Sequence, residues 1–439
     1  MAFSLHGVHV PHRKNTADKT AMRMETVSTV TLPMSMHIGA PAAPIVKVGD
    51  TVKVGTLIAE AGGTVSAPMH SSVSGKVTKI IDHLLSDGKT VPAVVIESDG
   101  MMTPDEALTP PVVNSRESFI EAVKNAGIVG LGGAGFPTHF KLNVPPEKIE
   151  YLIINGAECE PYVTSDTLTM LERGDDMATA LEAMAAYLGV KNVIIGIENN
   201  KKKAIESMQQ LVQKIGNGCT AKVKVLPSVY PQGGEKVLIY HTTGKVVASG
   251  MLPIDVGCIV INCTTLAAIG AYLKTGMPLV EKCVTVDGGA VKEPCNLIVP
   301  IGTAISDVLE ACGGLTADPA KVIYGGPMMG ITVPDLSAPV LKNTNAVLAL
   351  TEKEVKLPKT TACIRCGSCT NTCPFGLNPM ALARAYGRRD ADALKELSLT
   401  ACMECGCCSF VCPANRPLVQ NNKLAKIFLK EQQAKEGSK

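Results

Sequence analysis

Nine of the sixteen cysteines fall between Cys363 and Cys412, and eight of these repeat one spacing. Cys363-x2-Cys366-x2-Cys369-x3-Cys373-Pro374 is followed by Cys402-x2-Cys405-x2-Cys408-x3-Cys412-Pro413. Three thiolates at this close spacing can wrap one face of an iron–sulfur cube. The fourth, three residues on and just before proline, points away and reaches a second cube. The expected ligand sets therefore cross. Cys363, Cys366, Cys369 and Cys412 hold one [4Fe–4S] cluster; Cys402, Cys405, Cys408 and Cys373 hold the other. A pair of zinc sites would use C-x2-C pairs, two to a metal, and fits this doubled pattern poorly. Cys407 stands outside the register and is expected to be a bystander. From Cys363 onward there are 11 Lys/Arg and 6 Asp/Glu, a basic balance that would offset the clusters' negative charge. A solvated basic tail would look the same.

Three further segments could do chemistry. Gly130-Leu131-Gly132-Gly133-Ala134-Gly135 matches G-x-G-x-x-G. The dinucleotide fingerprint needs a strand before it and a helix opening within it; here a helix-patterned stretch precedes and Phe136-Pro137 follows. The loop can still cradle a phosphate on backbone N–H groups, or be a tight turn. Asn155-Gly156-Ala157-Glu158-Cys159-Glu160-Pro161 comes directly after an apolar run, where an α/β sheet places its ligand, although loop carboxylates are as often simply solvated. Tyr230-Pro231-Gln232-Gly233-Gly234-Glu235-Lys236 opens a helical stretch, and glycines there suit close approach of a cofactor or a plain turn.

The elements that must position these residues follow from periodicity. Hydrophobic residues make up 46% of the 439, enough for full cores; aromatics are 3%, so the cores are aliphatic. Residues 1–35 read as irregular. Over 36–98, short Val- and Ile-rich runs punctuated by Gly predict a small β module. Over 114–275, strand-like runs (Tyr151–Asn155, Asn192–Ile197, Val223–Leu226, Cys258–Asn262) alternate with helical ones, which implies a largely parallel sheet with crossover helices. A small α+β module is expected over 281–330, and a helical cysteine-bearing domain over 358–439. The formal charge of +2 argues against a nucleic-acid-binding role. No run of 18 apolar residues indicates a transmembrane helix, and no apolar leader marks a signal peptide. The expected compartment is the cytosol, where clustered cysteines mean metal or redox chemistry.

GLGGAGFPTHFK (Gly130–Lys141), NGAECEP, YPQGGEK and INCTT (Ile261–Thr265) occur in this order, and together they resemble the flavin subunit family of respiratory complex I. With the doubled cysteine motif and the N-terminal β module, the whole chain resembles the C-subunit family of Rnf complexes, ferredoxin:NAD oxidoreductases that translocate Na⁺ or H⁺. The resemblance implies non-covalent FMN surrounded by Gly130, Gly132, Gly133, Lys141, Asn155, Glu158, Cys159, Gly233, Glu235, Asn262 and Thr265. It implies NAD(H) faced by Phe136, Glu160 and Glu235, with Glu160, Glu235 and Lys141 closest to the chemistry and Lys141 supplying positive charge. It departs from the complex I pattern at Leu131, Val144 and Ala157, where that family carries Arg, Phe and Asp. The 36–98 module resembles the barrel-sandwich of lipoyl and biotinyl carriers, but its hairpin, Ala67–Ser74, has no Lys to modify. The 281–330 module resembles the soluble-ligand-binding β-grasp (SLBB) fold, and the last domain a two-[4Fe–4S] ferredoxin.

A flavin exchanges two electrons with a nicotinamide and one at a time with clusters, so it belongs between them. The implied role is a peripheral subunit on the cytoplasmic face of the membrane, docked on integral-membrane partners and an iron–sulfur subunit. Two alternatives remain at this level. One is a soluble relative such as a cobalamin reductase of a metabolic compartment. The other is a non-enzymatic ferredoxin-like carrier, against which the three Gly/Glu motifs count.

Overall fold

The computed structural model describes residues 6–216 and 218–437. Alternation of apolar residues builds the N-terminal module. Strands Thr29–Pro33, Thr90–Ser98, Gly75–Leu84 and Thr51–Val52 pair in that order, and a smaller sheet joins Ala43–Pro44, Leu57–Glu60 and Met69–His70. The first of these strands lies inside the stretch read as irregular. Its alternation sends Val30 and Leu32 into the core, the period-2 signal of a half-buried strand, so the barrel-sandwich begins before residue 36.

The α/β domain carries a four-stranded, wholly parallel sheet in the order Thr220–Leu226, Asn192–Glu198, Tyr151–Gly156, Cys258–Asn262. The chain steps outward twice from Tyr151–Gly156 and then returns to its other side. The order therefore reverses between Tyr151–Gly156 and Cys258–Asn262, and such a switch point opens a crevice at the strands' carboxyl ends.

The β-grasp module draws strands into its sheet from outside the expected range 281–330. Its six-stranded sheet takes the order Met22–Arg23, Cys295–Pro300, Glu281–Asp287, Ala346–Leu350, Lys321–Tyr324, Ile331–Thr332. Ala346–Leu350 is buried along its whole length, because it sits centrally and needs apolar side chains on both faces. In the last domain, Pro379–Gly387 packs on the long helix Leu418–Gly437, around Leu382, Leu394, Leu399 and Phe428. Among the described residues, no helix is long and apolar enough to cross a membrane.

The hairpin of the barrel-sandwich is locked between domains. Every residue from Ser66 to Ser74 is buried. Ser72 donates to the Ile301 carbonyl, and the fully buried Lys342 donates to the carbonyls of Pro68 and Gly127, both at 2.7 Å. A tip held on both sides cannot swing. Burial pushes the Lys342 pKa down to about 7 from 10.5. The unfolded chain therefore holds the extra proton between these values, and this group makes the fold more stable as pH rises through that window. His70, pushed down to about 3 from 6.5 by burial and by Lys342, acts in the same direction at lower pH. Lys342→Met should therefore flatten the rise in unfolding midpoint between about pH 7 and pH 9. A wild-type-to-variant difference that stays constant over that range would show that Lys342 is not the responsible group.

Candidate functional site

The crevice at the switch point gathers the loop motifs. Asn155 and Asn262 stand opposite each other in the register of the paired strands Tyr151–Gly156 and Cys258–Asn262. Asn155 donates from Nδ2 to the Gly233 carbonyl at 2.9 Å and accepts from the Ala157 N–H. Asn262 caps the helix Cys263–Thr275, its Oδ1 accepting from the N–H groups of Thr264 and Thr265, an asparagine's usual role at an N-cap. Its Nδ2 donates to Asp166 at 2.7 Å.

The glycine loop folds over this edge. Gly130 N–H donates to the Phe136 carbonyl and Thr138 N–H to that of Ile128, closing the loop at its base. Leu131 is buried, and its N–H donates to Thr265 Oγ1 at 2.9 Å. Gly132, Gly133 and Ala134 are exposed. A Cβ at Gly132 would run into the Asn262 amide, and one at Gly233 into the Ala157 carbonyl. The backbone at these two positions packs too closely for any side chain.

The acidic motif divides. Cys159 Sγ accepts from the Gly233 N–H at 3.3 Å, and burial pushes its thiol up to about 12, so it is a packing thiol rather than a nucleophile. Glu158 turns inward and accepts from the Asp166 N–H and the Thr167 hydroxyl, both at 2.7 Å. Burial raises it to about 6 against the opposing charge of Lys14. Glu160, which the resemblance turns toward a nicotinamide, accepts from the N–H groups of Met328 and Met329 in the β-grasp module, at 3.0 and 2.9 Å. Burial lifts it to about 7. Lys141 pairs with Glu235 at 2.9 Å and donates to the Val260 carbonyl. Phe136 meets Phe140 edge-on, ring centres 5.8 Å apart.

Sequence reasoning missed Lys14, Asp166 and Lys282. Lys14 Nζ donates to the carbonyls of Glu158, Glu160 and Val163, from a stretch with no pattern to announce it. Asp166 holds Asn262 and the Thr264 hydroxyl. Lys282 donates to the Leu131 carbonyl at 3.0 Å. Its signal was present: extending the alternation of Val284 and Val286 backward puts Lys282 on the inward face.

Two cysteine-lined cavities occupy the last domain. Cys363, Cys366, Cys369 and Cys412 line one, of about 230 Å³, together with Arg365, Arg384 and Arg416 and no acidic residue. Cys373, Cys402, Cys405 and Cys408 line the other, a narrower space of about 20 Å³. The ninth cysteine, Cys407, also lines the second. It is buried, with Sγ 3.8 Å from the Tyr230 carbonyl. The two motifs share a backbone: Gly367 and Gly406 adopt left-handed conformations before short helices, and Arg365 and Glu404 also have positive φ. N–H groups approach sulfur at Cys363 (from Arg365), Cys402 (from the Asn422 side chain) and Cys412 (from Arg416). Such bonds stabilise thiolate ligands. Among the described residues, no three His, Cys, Asp or Glu side chains converge as on a single ion. The crossed grouping and its N–H···S contacts fit four-iron clusters better than zinc.

The outer set is the more open, with Cys366 exposed, whereas Cys373, Cys405 and Cys408 are buried. The buried set lies against the α/β domain. Tyr230 Oη donates to the Cys405 carbonyl at 2.7 Å. Met403 packs so closely on Gly234 that a Cβ there would meet its methyl.

Four family models match successive parts of the chain: the RnfC barrel sandwich hybrid domain over 3–101, the Nuo51 FMN-binding domain over 123–271, the SLBB domain over 283–332 and a 4Fe-4S dicluster domain over 356–427. The chain is 43% identical over 426 residues to the C-subunit of a Na⁺-translocating ferredoxin:NAD⁺ oxidoreductase complex from Acetobacterium woodii, covering 96% of this chain and 95% of that one. It is 43% identical over 422 residues to the corresponding protein of a proton-translocating complex from Clostridium ljungdahlii, with 94% and 91% covered. It is 42% identical to the C-subunit of an ion-translocating oxidoreductase complex from Rhodobacter capsulatus, with 99% and 85% covered. The fold is shared with a chain of an NAD⁺-reducing [NiFe]-hydrogenase, at a TM-score of 0.52 and 19% identity over 73% of this chain and 62% of that one.

The crossed pattern has a direct test. Cys412→Ser should delete the same cluster signal as Cys366→Ser, and Cys373→Ser the same signal as Cys405→Ser, by electron paramagnetic resonance and iron content. Pairing of Cys373 with Cys366 in the loss would show that each motif holds its own cluster.

Proposed function

The chain belongs to the RnfC family of ion-translocating oxidoreductase complexes, and on that premise we propose that it is the peripheral subunit linking two [4Fe–4S] clusters to NAD(H) through FMN. It carries an FMN-binding domain of the Nuo51 type and a 4Fe–4S dicluster domain. Its place is the cytoplasmic face of a membrane-bound complex that moves Na⁺ or H⁺.

The observation that carries this reading is the seam between Tyr230–Gly234 and the second cysteine motif. It brings the buried cysteine set against the loop whose Gly233 touches Asn155 and Cys159. Bound FMN supplies the junction between two-electron nicotinamide chemistry and one-electron clusters. Gly130, Gly132, Gly133, Asn155, Gly233, Asn262 and Thr265 would hold it in the crevice, with Glu158 and Cys159 bracing the loop beneath. Lys141, steadied by Glu235, offers a cation at the edge, and Phe136 offers a face for the nicotinamide nucleotide. The carrier order we read runs from the flavin site to the Cys402 set and then to the Cys363 set. The exposed, arginine-lined outer cavity faces the partners, integral-membrane subunits and an iron–sulfur subunit.

Anaerobically purified protein should contain about one FMN and about eight iron atoms per chain, and NADH should bleach the flavin. Cys366→Ser should leave NADH reduction of both the flavin and the remaining cluster intact. Cys405→Ser should keep flavin reduction but cut off the outer cluster. Rapid reduction of the outer cluster in Cys405→Ser would refute the order. Protein that binds neither FMN nor NADH would refute the dehydrogenase reading and leave a ferredoxin-like carrier.

A further inference from the structure

Lys282 lies in the strand Glu281–Asp287 and is 3% exposed. Its ammonium crosses from the β-grasp module into the α/β domain and, among the described residues, meets a single acceptor, the Leu131 carbonyl. The other buried lysines of the chain are better served. Lys201 pairs with Glu198 at 2.5 Å, and Lys342 has two carbonyls. Among the described residues, no carboxylate lies within ion-pair distance of Lys282, and Asp166 acts on it only at longer range. A buried cation without a counter-ion is costly, and burial holds its pKa below the ordinary lysine value.

Its position suggests what offsets that cost. Leu131 is pinned from two sides, its N–H on Thr265 and its carbonyl on Lys282. The next three residues, Gly132 to Ala134, are exposed. Holding the Leu131 carbonyl sets the Gly132 N–H, which shares its peptide plane and points the opposite way, and so sets the start of this exposed stretch. An anion on the open face of this loop would meet its N–H donors with the Lys282 charge behind them.

We infer that Lys282 is a positioning residue for an anionic flavin: through the Leu131 carbonyl it sets the glycine loop, and its charge favours negative charge bound on the loop. This rests on the FMN reading above. The anion is either the phosphate monoester or the reduced isoalloxazine ring.

The test uses full-length, cluster-loaded protein from which flavin has been removed. FMN and riboflavin are titrated by fluorescence quenching, and the midpoint potential of bound flavin is measured. Lys282→Met should weaken FMN binding about tenfold or more and move the flavin potential to more negative values; Lys282→Arg should restore both. Lys282→Gln, which keeps a donor for Leu131 but no charge, should still shift the potential. Thr265→Val, which releases the other pin, should weaken FMN without moving the potential. Loss of the preference for FMN over riboflavin in Lys282→Met assigns the charge to the phosphate. A preserved preference with a shifted potential assigns it to the ring. A Lys282→Met protein with full iron content and wild-type FMN affinity and potential would overturn the inference, and if that variant does not load iron, Lys282→Gln decides by the same criterion. Wild-type protein that takes up no FMN would instead sink the flavin reading itself.

Discussion

The hydroxyl of Tyr230 donates to the carbonyl of Cys405 across the seam between the α/β domain and the cysteine-bearing domain. Much of the architecture serves to keep that seam closed. Electron transfer between separate centres demands that they be held close and still, and a chain of several modules does not do this by default. Here the seam is closed by apolar packing as well. Val8, Val10, Tyr230, Cys405 and Cys407 are buried together, with Cys159, Met328 and Met403 against them. Every module except the barrel-sandwich contributes a residue to this cluster or to its immediate rim.

The β-grasp module ties the site from the opposite side. The turn at Met328 and Met329 holds Glu160, and the Met328 carbonyl lies against Gly406, the left-handed glycine of the second cysteine motif. Lys282 from the same module reaches the glycine loop. One small module thus contacts the glycine loop, the acidic loop and the second cysteine motif. The barrel-sandwich is set further back. Its hairpin is a wedge between the β-grasp module and the α/β domain, and the missing lysine in Ala67–Ser74 matches a tip with no room to move.

The spacing of the cysteines proposes which thiolates share a cube, and the two cavities are lined by those same two sets of four. The parallel sheet was legible because buried strands such as Ile153–Ile154 and Ile194–Ile195 read as continuous apolar runs. Module edges were less so. Thr29–Pro33 hid its alternation among polar neighbours, and Ala346–Leu350 pairs with Glu281–Asp287 and Lys321–Tyr324 from beyond the range read for that module. The electrostatics of the site were the least legible. Whether a lysine such as Lys14 or Lys282 is solvated or buried depends on what a distant segment places above it, and no local pattern carries that information. Glu158 and Glu160 were identified as chemically interesting. Their carboxylates are committed to helix and turn N–H groups, which only the tertiary arrangement reveals.

The segment from Gly7 to Thr16 touches the α/β domain, the β-grasp module and the cysteine-bearing domain. Gly7 accepts from Thr372, Val8 pairs with Tyr230 in both directions, Lys14 lies beneath the loop at 158–163, and Thr16 meets Thr164 and Asn296. These residues precede all of those partners in the chain, and the last of the partners, Thr372, lies in the first cysteine motif. Domains generally fold in the order of synthesis, but this strap cannot settle until the first cysteine motif has been translated. Its contacts are therefore completed last, over modules that are already formed.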